Sequence, residues 1–285
     1  MSLNCPACNN HSDDFLLLDS ERLDRYLEYS DFAYDGLFHN YKDEIKPELM
    51  RCSYCLHVFY KEMPSEKLLN EMYGFQRNFK KNPSRAPSQK MIKVMEKCFK
   101  IIGKQDPVML DYGAGHGRWS LAAVKAGFKV FAYEPHLTRT SPSKEFEFIK
   151  NKNDLNEIEF DFIWCEQVLE HVTNPFHIIN DINSLSSKET IVRISVPNVD
   201  RAREGSEIWN DWPYDGRGTN HTLAPYQHIQ GFNQKSLHEL ANRSGFTKLN
   251  NQSFIFQEPF FSLRFFLGRI IKSLSTTTLF LIKNN

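Results

Sequence analysis

Residues 110–119 read LDYGAGHGRW. The stretch follows the apolar run PVML (107–110), which has the character of a buried strand, and runs into RWSLAAVKAG, which has helical composition. A strand ending in Asp111, glycines at 113, 115 and 117, and then a helix make a nucleotide-type loop at the carboxyl edge of a sheet. Gly113 permits the sharp turn out of the strand. Gly115 lets a ligand approach the backbone, and Gly117 lets the helix pack closely as it begins. The first N–H groups of that helix have no partner within it and are offered to a ligand.

The spacing selects the ligand. Dinucleotide sites use GxGxxG, whereas this loop is GxGxG with an acid two residues before the first glycine. That pattern resembles motif I of the class I S-adenosylmethionine (SAM) methyltransferases. Further motifs of the family follow in its order. FAYEP ends a second strand in Glu134, where the family places the acid that holds both ribose hydroxyls; two carboxylate oxygens can accept two O–H donors side by side. Asp154 and Leu155 follow the third strand, where the family contacts the adenine. FDFIWCEQVLEHVTNP (160–175) resembles the fourth strand and its turn, with Glu166 and Gln167 at positions that contact the methionine part of SAM. SVPN (195–198) resembles the end of the fifth strand, and QHIQGFNQKSLHELANRSGF (227–246) a late block with a recurrent histidine and a helix ending in GF. The resemblance covers about residues 105–250. It implies an α/β fold with a Rossmann-like sheet, mostly parallel with an antiparallel last strand, and SAM as cofactor.

Outside the loop, strand and helix signals alternate from Ser88 onward, as a parallel sheet with crossover helices requires. Ser88 is a candidate N-cap for a helix with an apolar stripe of Met91, Val94, Met95, Cys98 and Ile102, ended by Gly103. KKNPSRAPS (80–88) reads as a linker. The expected organisation is a zinc-binding module over 1–79, a linker and leading helix over 80–104, and a SAM-binding domain over 105–285 with a substrate insert around 199–231.

Cys5-Pro-Ala-Cys8 and Cys52-Ser-Tyr-Cys55 are two CxxC knuckles, the pattern that holds one tetrahedral zinc through four thiolates. Four thiolates leave no open position, so the metal is expected to be structural. Together with HVFYKEMPSEKLLNEMY (57–73), the pair resembles the N-terminal ribbon of bacterial methyltransferases, several of which act on sugars in antibiotic or surface-polysaccharide pathways. The long acidic insert between the knuckles departs from that group. Cys98 and Cys165 read as ordinary buried residues.

Bulk properties bound the partners. The chain has 285 residues, 41% hydrophobic and 25% charged, with 35 basic and 35 acidic side chains. A net charge of zero disfavours nucleic acid. MSLNCPACNN lacks the charged and apolar regions of a signal peptide, so a cytoplasmic setting is expected. The expected acceptor is a sugar, a glycan or a related small metabolite, methylated on a hydroxyl oxygen. An RNA methyltransferase and a catalytically silent scaffold are the competing readings. His228 is the first candidate base, with His221 and His171 behind it. Trp209, Asp211, Trp212, Tyr214, Asp215 and Tyr226 of the insert suit a polar ring with apolar faces. PFFSLRFFLGRIIKSL (259–274) has the make-up of a segment that packs on the sheet or on a second subunit, or lies on a membrane surface.

Overall fold

A computed structural model describes residues 3–12, 14–16, 34, 36–44, 49–74, 86–136, 143–199, 228–249 and 276–284. The insert from Asp200 to Gln227, with His221 and its aromatic residues, and the apolar segment 259–274 lie outside the described residues.

The amino-terminal part contains the ribbon β1 (Leu3–Asn4) and β2 (His11–Ser12), then β3 (Asp14–Leu16), β4 (Leu49–Arg51), β5 (Val58–Tyr60) and helix α1 (Glu66–Gly74). Helix α2 (Gln89–Ile102) opens the larger part. It is followed by β6 (Val108–Tyr112), α3 (Arg118–Ala126), β7 (Lys129–Tyr133), β8 (Glu147–Ile149), β9 (Phe162–Glu166), α4 (Pro175–Ser184), β10 (Ile191–Pro197), β11 (Gln230–Gly231), α5 (Gln234–Arg243), β12 (Phe246–Lys248) and β13 (Thr276–Lys283).

Seven of these strands form one sheet in the order β12-β13-β10-β9-β6-β7-β8. Strands β6 to β10 are parallel, whereas β13 runs antiparallel between β10 and β12. The mostly parallel sheet with an antiparallel end is the α/β architecture expected from the sequence. The chain leaves β6 toward β7 and β8, then returns to β9 on the other side. Such a reversal opens a crevice at the carboxyl ends of β6 and β9, and the glycine loop begins there.

The central strands carry mostly apolar runs because helices cover both faces: Phe162, Ile163, Trp164 and Cys165 of β9 are all buried. The cap and stop read for α2 are present. The Ser88 hydroxyl accepts from the Met91 N–H, and Gly103, at φ 67°, donates its N–H to the Phe99 carbonyl. Met95 and Cys98 of α2 pack with Ala122 and Ala123 of α3 and with Met109 and Phe162 of the sheet. The leading helix is therefore a layer of the large domain.

The amino-terminal part is likewise built into the larger one. Its four-stranded sheet has the order β11-β5-β4-β3, so the edge strand β11 comes from beyond the insert. Asn233 caps α5 by accepting from the Ser236 N–H, and its side-chain amide donates to the Cys55 and Leu56 carbonyls at 3.2 and 3.1 Å. Arg243 donates to the Pro6 and Ala7 carbonyls. One continuous core joins Cys5, Met50, Cys55 and Phe59 to Phe232, Leu237 and Leu240. Residues from either side of position 79 thus share this core.

Candidate active site

The glycine loop is tied to the end of the next strand. Gly113 and Ala114 both donate to the Tyr133 carbonyl, at 2.8 and 3.0 Å. Gly115 donates its N–H to Glu134 Oε2 at 2.8 Å, and His136 donates its N–H to Oε1 at 3.1 Å. The Glu134 carboxylate is thus fixed by one amide on each oxygen, and each oxygen keeps further acceptor capacity. A side chain on Gly113 would meet Val168 Cγ2 at 2.5 Å, and one on Gly117 would meet Phe146 Cζ at 2.5 Å. Gly117 therefore admits an aromatic ring close to the helix start. Gly115 differs from both. At φ 53° it lies in the left-handed region, and the space in front of its α-carbon is open to at least 4 Å. This is the approach that the sequence assigned to a ligand.

Asp111 is buried, and its Oδ2 accepts from the Ser120 hydroxyl at 2.6 Å, joining β6 to α3. Burial pushes its carboxyl up to about 7, against the opposing effect of the Ser120 hydrogen bonds; the Glu166 and Glu134 charges add to the rise. Glu166, at the end of β9, is paired with Arg193, whose guanidinium lies 3.7 Å from the Trp164 ring centroid. Gln167 follows with φ 57°, a sparsely populated conformation for a residue with a side chain, held by its N–H bond to the Ser195 carbonyl. In the 3-10 turn Lys152–Glu157, Asp154 is exposed, whereas Leu155 is fully buried in the core.

The turn after β9, Leu169–His171, lies beside the chain returning from the insert: Ile229 donates its N–H to the Glu170 carbonyl at 2.8 Å. This bond brings His228 to His171, whose ring centroids are 4.7 Å apart. Glu170 beneath them is fully buried, its Oε1 is 3.8 Å from His171 Nε2, and neither carboxyl oxygen has a hydrogen-bond partner. Burial drives its carboxyl well above the usual range. Two of the three histidine candidates therefore share one edge. Composition gave no sign that Tyr73, at the end of α1, joins them: its ring stacks on His136 at 5.3 Å and meets His171 edge-on at 5.6 Å.

The four cysteines of the knuckles converge, with all Sγ atoms within 4.8 Å of one another. Cys5 and Cys55 are separated by 3.6 Å at sulfur, and Cys8 and Cys52 by 3.5 Å. The knuckles share one geometry. Cys5 donates its N–H to Asn10, as Cys52 does to His57; Asn9 donates to the Cys5 carbonyl, as Leu56 does to that of Cys52. Asn9 and Leu56, each just after a second cysteine, both adopt positive φ. His57 is not in the cluster. It is buried, which lowers its basicity, and its Nε2 bonds Gln230 Oε1 at 2.8 Å. Gln230 donates onward to the Val172 and Thr173 carbonyls, just past the histidine turn. Cys98 and Cys165 are buried, with thiols raised by burial, Cys98 to about 11.

Residues 80–251 match the family model described as a methyltransferase domain. The chain belongs to this methyltransferase family. It is a SAM-dependent methyltransferase. No curated protein matches the sequence. Among solved structures, the chain is similar to the 1,6-didemethyltoxoflavin-N1-methyltransferase of Burkholderia thailandensis, solved with 1,6-didemethyltoxoflavin and S-adenosylhomocysteine. The identity is 16%, covering 96% of this chain and 95% of that one, with a TM-score of 0.44. It is also similar to the magnesium protoporphyrin IX methyltransferase of Synechocystis, solved with S-adenosylhomocysteine, at 12% identity over 93% of this chain and 100% of that one, with a TM-score of 0.46.

The buried Asp111 makes stability depend on pH. Its carboxyl titrates near 7 when folded and near 3.8 when unfolded. The folded state therefore holds the extra proton between these values, and the protein loses stability as pH rises through the window. Asp111→Asn, which keeps a hydrogen-bonding side chain of the same size, removes that dependence. In thermal melts without ligand, the variant is expected to gain on the wild type between about pH 4 and about pH 7 and to run parallel to it above that range. A difference independent of pH would refute the assignment.

Proposed function

We propose that this methyltransferase acts on a hydroxyl oxygen of a sugar, a glycan or a related small metabolite, binding SAM across the glycine loop. The observation that carries the cofactor assignment is the Glu134 carboxylate, held by the Gly115 and His136 amides beside the open face of Gly115. A fixed carboxylate suits a cis-diol such as a ribose. Gly113 and Gly117 belong to the loop beside it, Asp111 precedes the loop at the end of β6, Asp154 and Leu155 lie in the turn after β8, and Glu166 and Gln167 lie at the end of β9. Asp154 and the local backbone face the adenine, since the Leu155 side chain is in the core.

When bound, SAM supplies an electrophilic methyl carbon on a positively charged sulfur. The chain must align an acceptor oxygen with that carbon and promote loss of the hydroxyl proton. His228 and His171 lie at the carboxyl edge of the sheet, where open α/β sheets place this chemistry, and we assign His228 first. Tyr73 supports the His171 ring from the side.

Zinc is the fitting occupant of Cys5, Cys8, Cys52 and Cys55. Tetrahedral zinc with four thiolates sets its sulfurs about 3.8 Å apart, close to the separations of 3.5 and 3.6 Å. Its role is to hold the two knuckles together, and through His57 and Gln230 to brace the turn that carries His171.

Three outcomes test these readings. Glu134→Ala is expected to weaken S-adenosylhomocysteine binding by roughly 1.5–3 kcal/mol in calorimetry, the usual contribution of hydrogen bonds to a charged partner; unchanged affinity would remove the ribose assignment. Elemental analysis should find one zinc per chain, lost in Cys5→Ser. Incubation of nucleotide sugars with labelled SAM should transfer label to an ether-linked methyl group, and a screen positive only for RNA would overturn the acceptor class.

A further inference from the structure

We propose that Glu170, His171 and His228 form a second metal site, for a single divalent transition cation at the acceptor edge. The inference rests on the reading that acceptors dock at this edge, and it supplies the means by which the three side chains promote proton loss.

Two independent observations carry it. The first is the donor set: one ligand atom from each residue lies within 4.8 Å of the others, and Glu170 Oε1 is 3.8 Å from His171 Nε2. Two bonds of about 2.1 Å to one ion separate their donor atoms by about 3 Å at a right angle and by more as the angle opens. The three groups therefore close on an ion with small side-chain rotations. Their backbone is set for this by the Ile229 N–H bond to the Glu170 carbonyl. The second observation is Glu170 itself. Its side chain is completely buried and both carboxyl oxygens lack any hydrogen-bond partner. Carboxyl groups are rarely buried in this way unless something occupies their lone pairs.

Two imidazoles and one carboxylate suit zinc, cobalt, nickel, iron or manganese better than magnesium or calcium, which prefer oxygen alone. Three protein ligands leave a coordination position open, unlike the closed shell of the four cysteines. An acceptor hydroxyl bound there would have its pKa lowered by the cation and would release its proton to solvent water, so that His228 would act as a ligand in place of a free base. His171 and His228 are partly exposed, so the ion has a path from solvent.

The probe is Co²⁺, added to full-length protein whose cysteine site holds zinc. One equivalent should develop visible ligand-field bands without the near-ultraviolet charge-transfer band of a cobalt thiolate. Glu170→Gln and His228→Ala should each weaken this binding by at least about tenfold, while Glu134→Ala leaves it unchanged. Retained S-adenosylhomocysteine binding in the two site variants confirms that they are folded. Absence of the bands, bands with thiolate character, or equal binding by wild type and both variants would overturn the proposal. Methyl transfer that persists without cobalt binding would sink this site alone, whereas cobalt binding without transfer to any hydroxyl would sink the acceptor reading.

Discussion

The hydrogen bond from the Gly115 amide to the Glu134 carboxylate is the contact on which the proposed cofactor site depends. It joins a loop that follows β6 to a side chain at the end of β7, so it forms only when these parallel strands are in register, with Asp111 opposite Ala132 and Tyr112 opposite Tyr133. It also fixes the carboxylate beside the loop that leads into α3. A carboxylate left free there would repel Asp111 and Glu166 with no compensation. Instead, two amides neutralise part of its charge, and charge-assisted bonds of this kind are stronger than neutral ones. The loop is thereby shaped before any ligand arrives.

A second constraint acts from the opposite side of the cleft. The cysteine knuckles are far in sequence from the histidine turn, yet a short chain of bonds connects them: His57 to Gln230, and Gln230 to the carbonyls of Val172 and Thr173. Gln230 also belongs to β11, which extends the amino-terminal sheet. The residue two positions before it is His228. Whatever holds the knuckles in place therefore holds both histidines, because β11 cannot shift against β5 without moving its neighbours. Tyr73 adds a direct contact from α1 to the same group. The amino-terminal part thus shares a core with α5 and touches the histidine turn through Tyr73.

These relations differ in how far the sequence disclosed them. The glycine loop, Glu134, the alternation of strands and helices and the two CxxC pairs stand out in the sequence because each depends on local chemistry at fixed spacing. The cap at Ser88 and the stop at Gly103 were legible for the same reason. The pairing of β11 with β5 was not, since a two-residue strand has no periodicity and its partner is some 170 positions away. Nor was the path of Tyr73: the helix bearing it can be read from the apolar spacing of Leu68, Leu69 and Met72, but its landing point is set by tertiary packing. Leu155 shows the converse. Its position after the third strand suggested an adenine contact, whereas apolarity took the side chain into the core.

Asp111 and Glu170 show how neighbours decide the state of a buried acid. Both are fully enclosed, and for both burial is the first cause of a raised carboxyl pKa. Asp111 has a hydroxyl and an amide of Ser120 directed at it, so part of the desolvation cost is recovered and its shift stops near neutrality. Glu170 has no such donors on its oxygens. An unpaired charge there would cost several kcal/mol, a large share of the roughly 5–15 kcal/mol that holds a domain folded. The carboxyl must therefore be neutral or matched by positive charge. Asp111 has only hydrogen-bond donors at hand, and a proton suffices. Glu170 has two imidazoles beside it, whose ring nitrogens are good ligands for a transition cation. The same burial that only tunes Asp111 therefore leaves Glu170 dependent on a proton or on a positive charge beside it, which is the role the proposed cation would take.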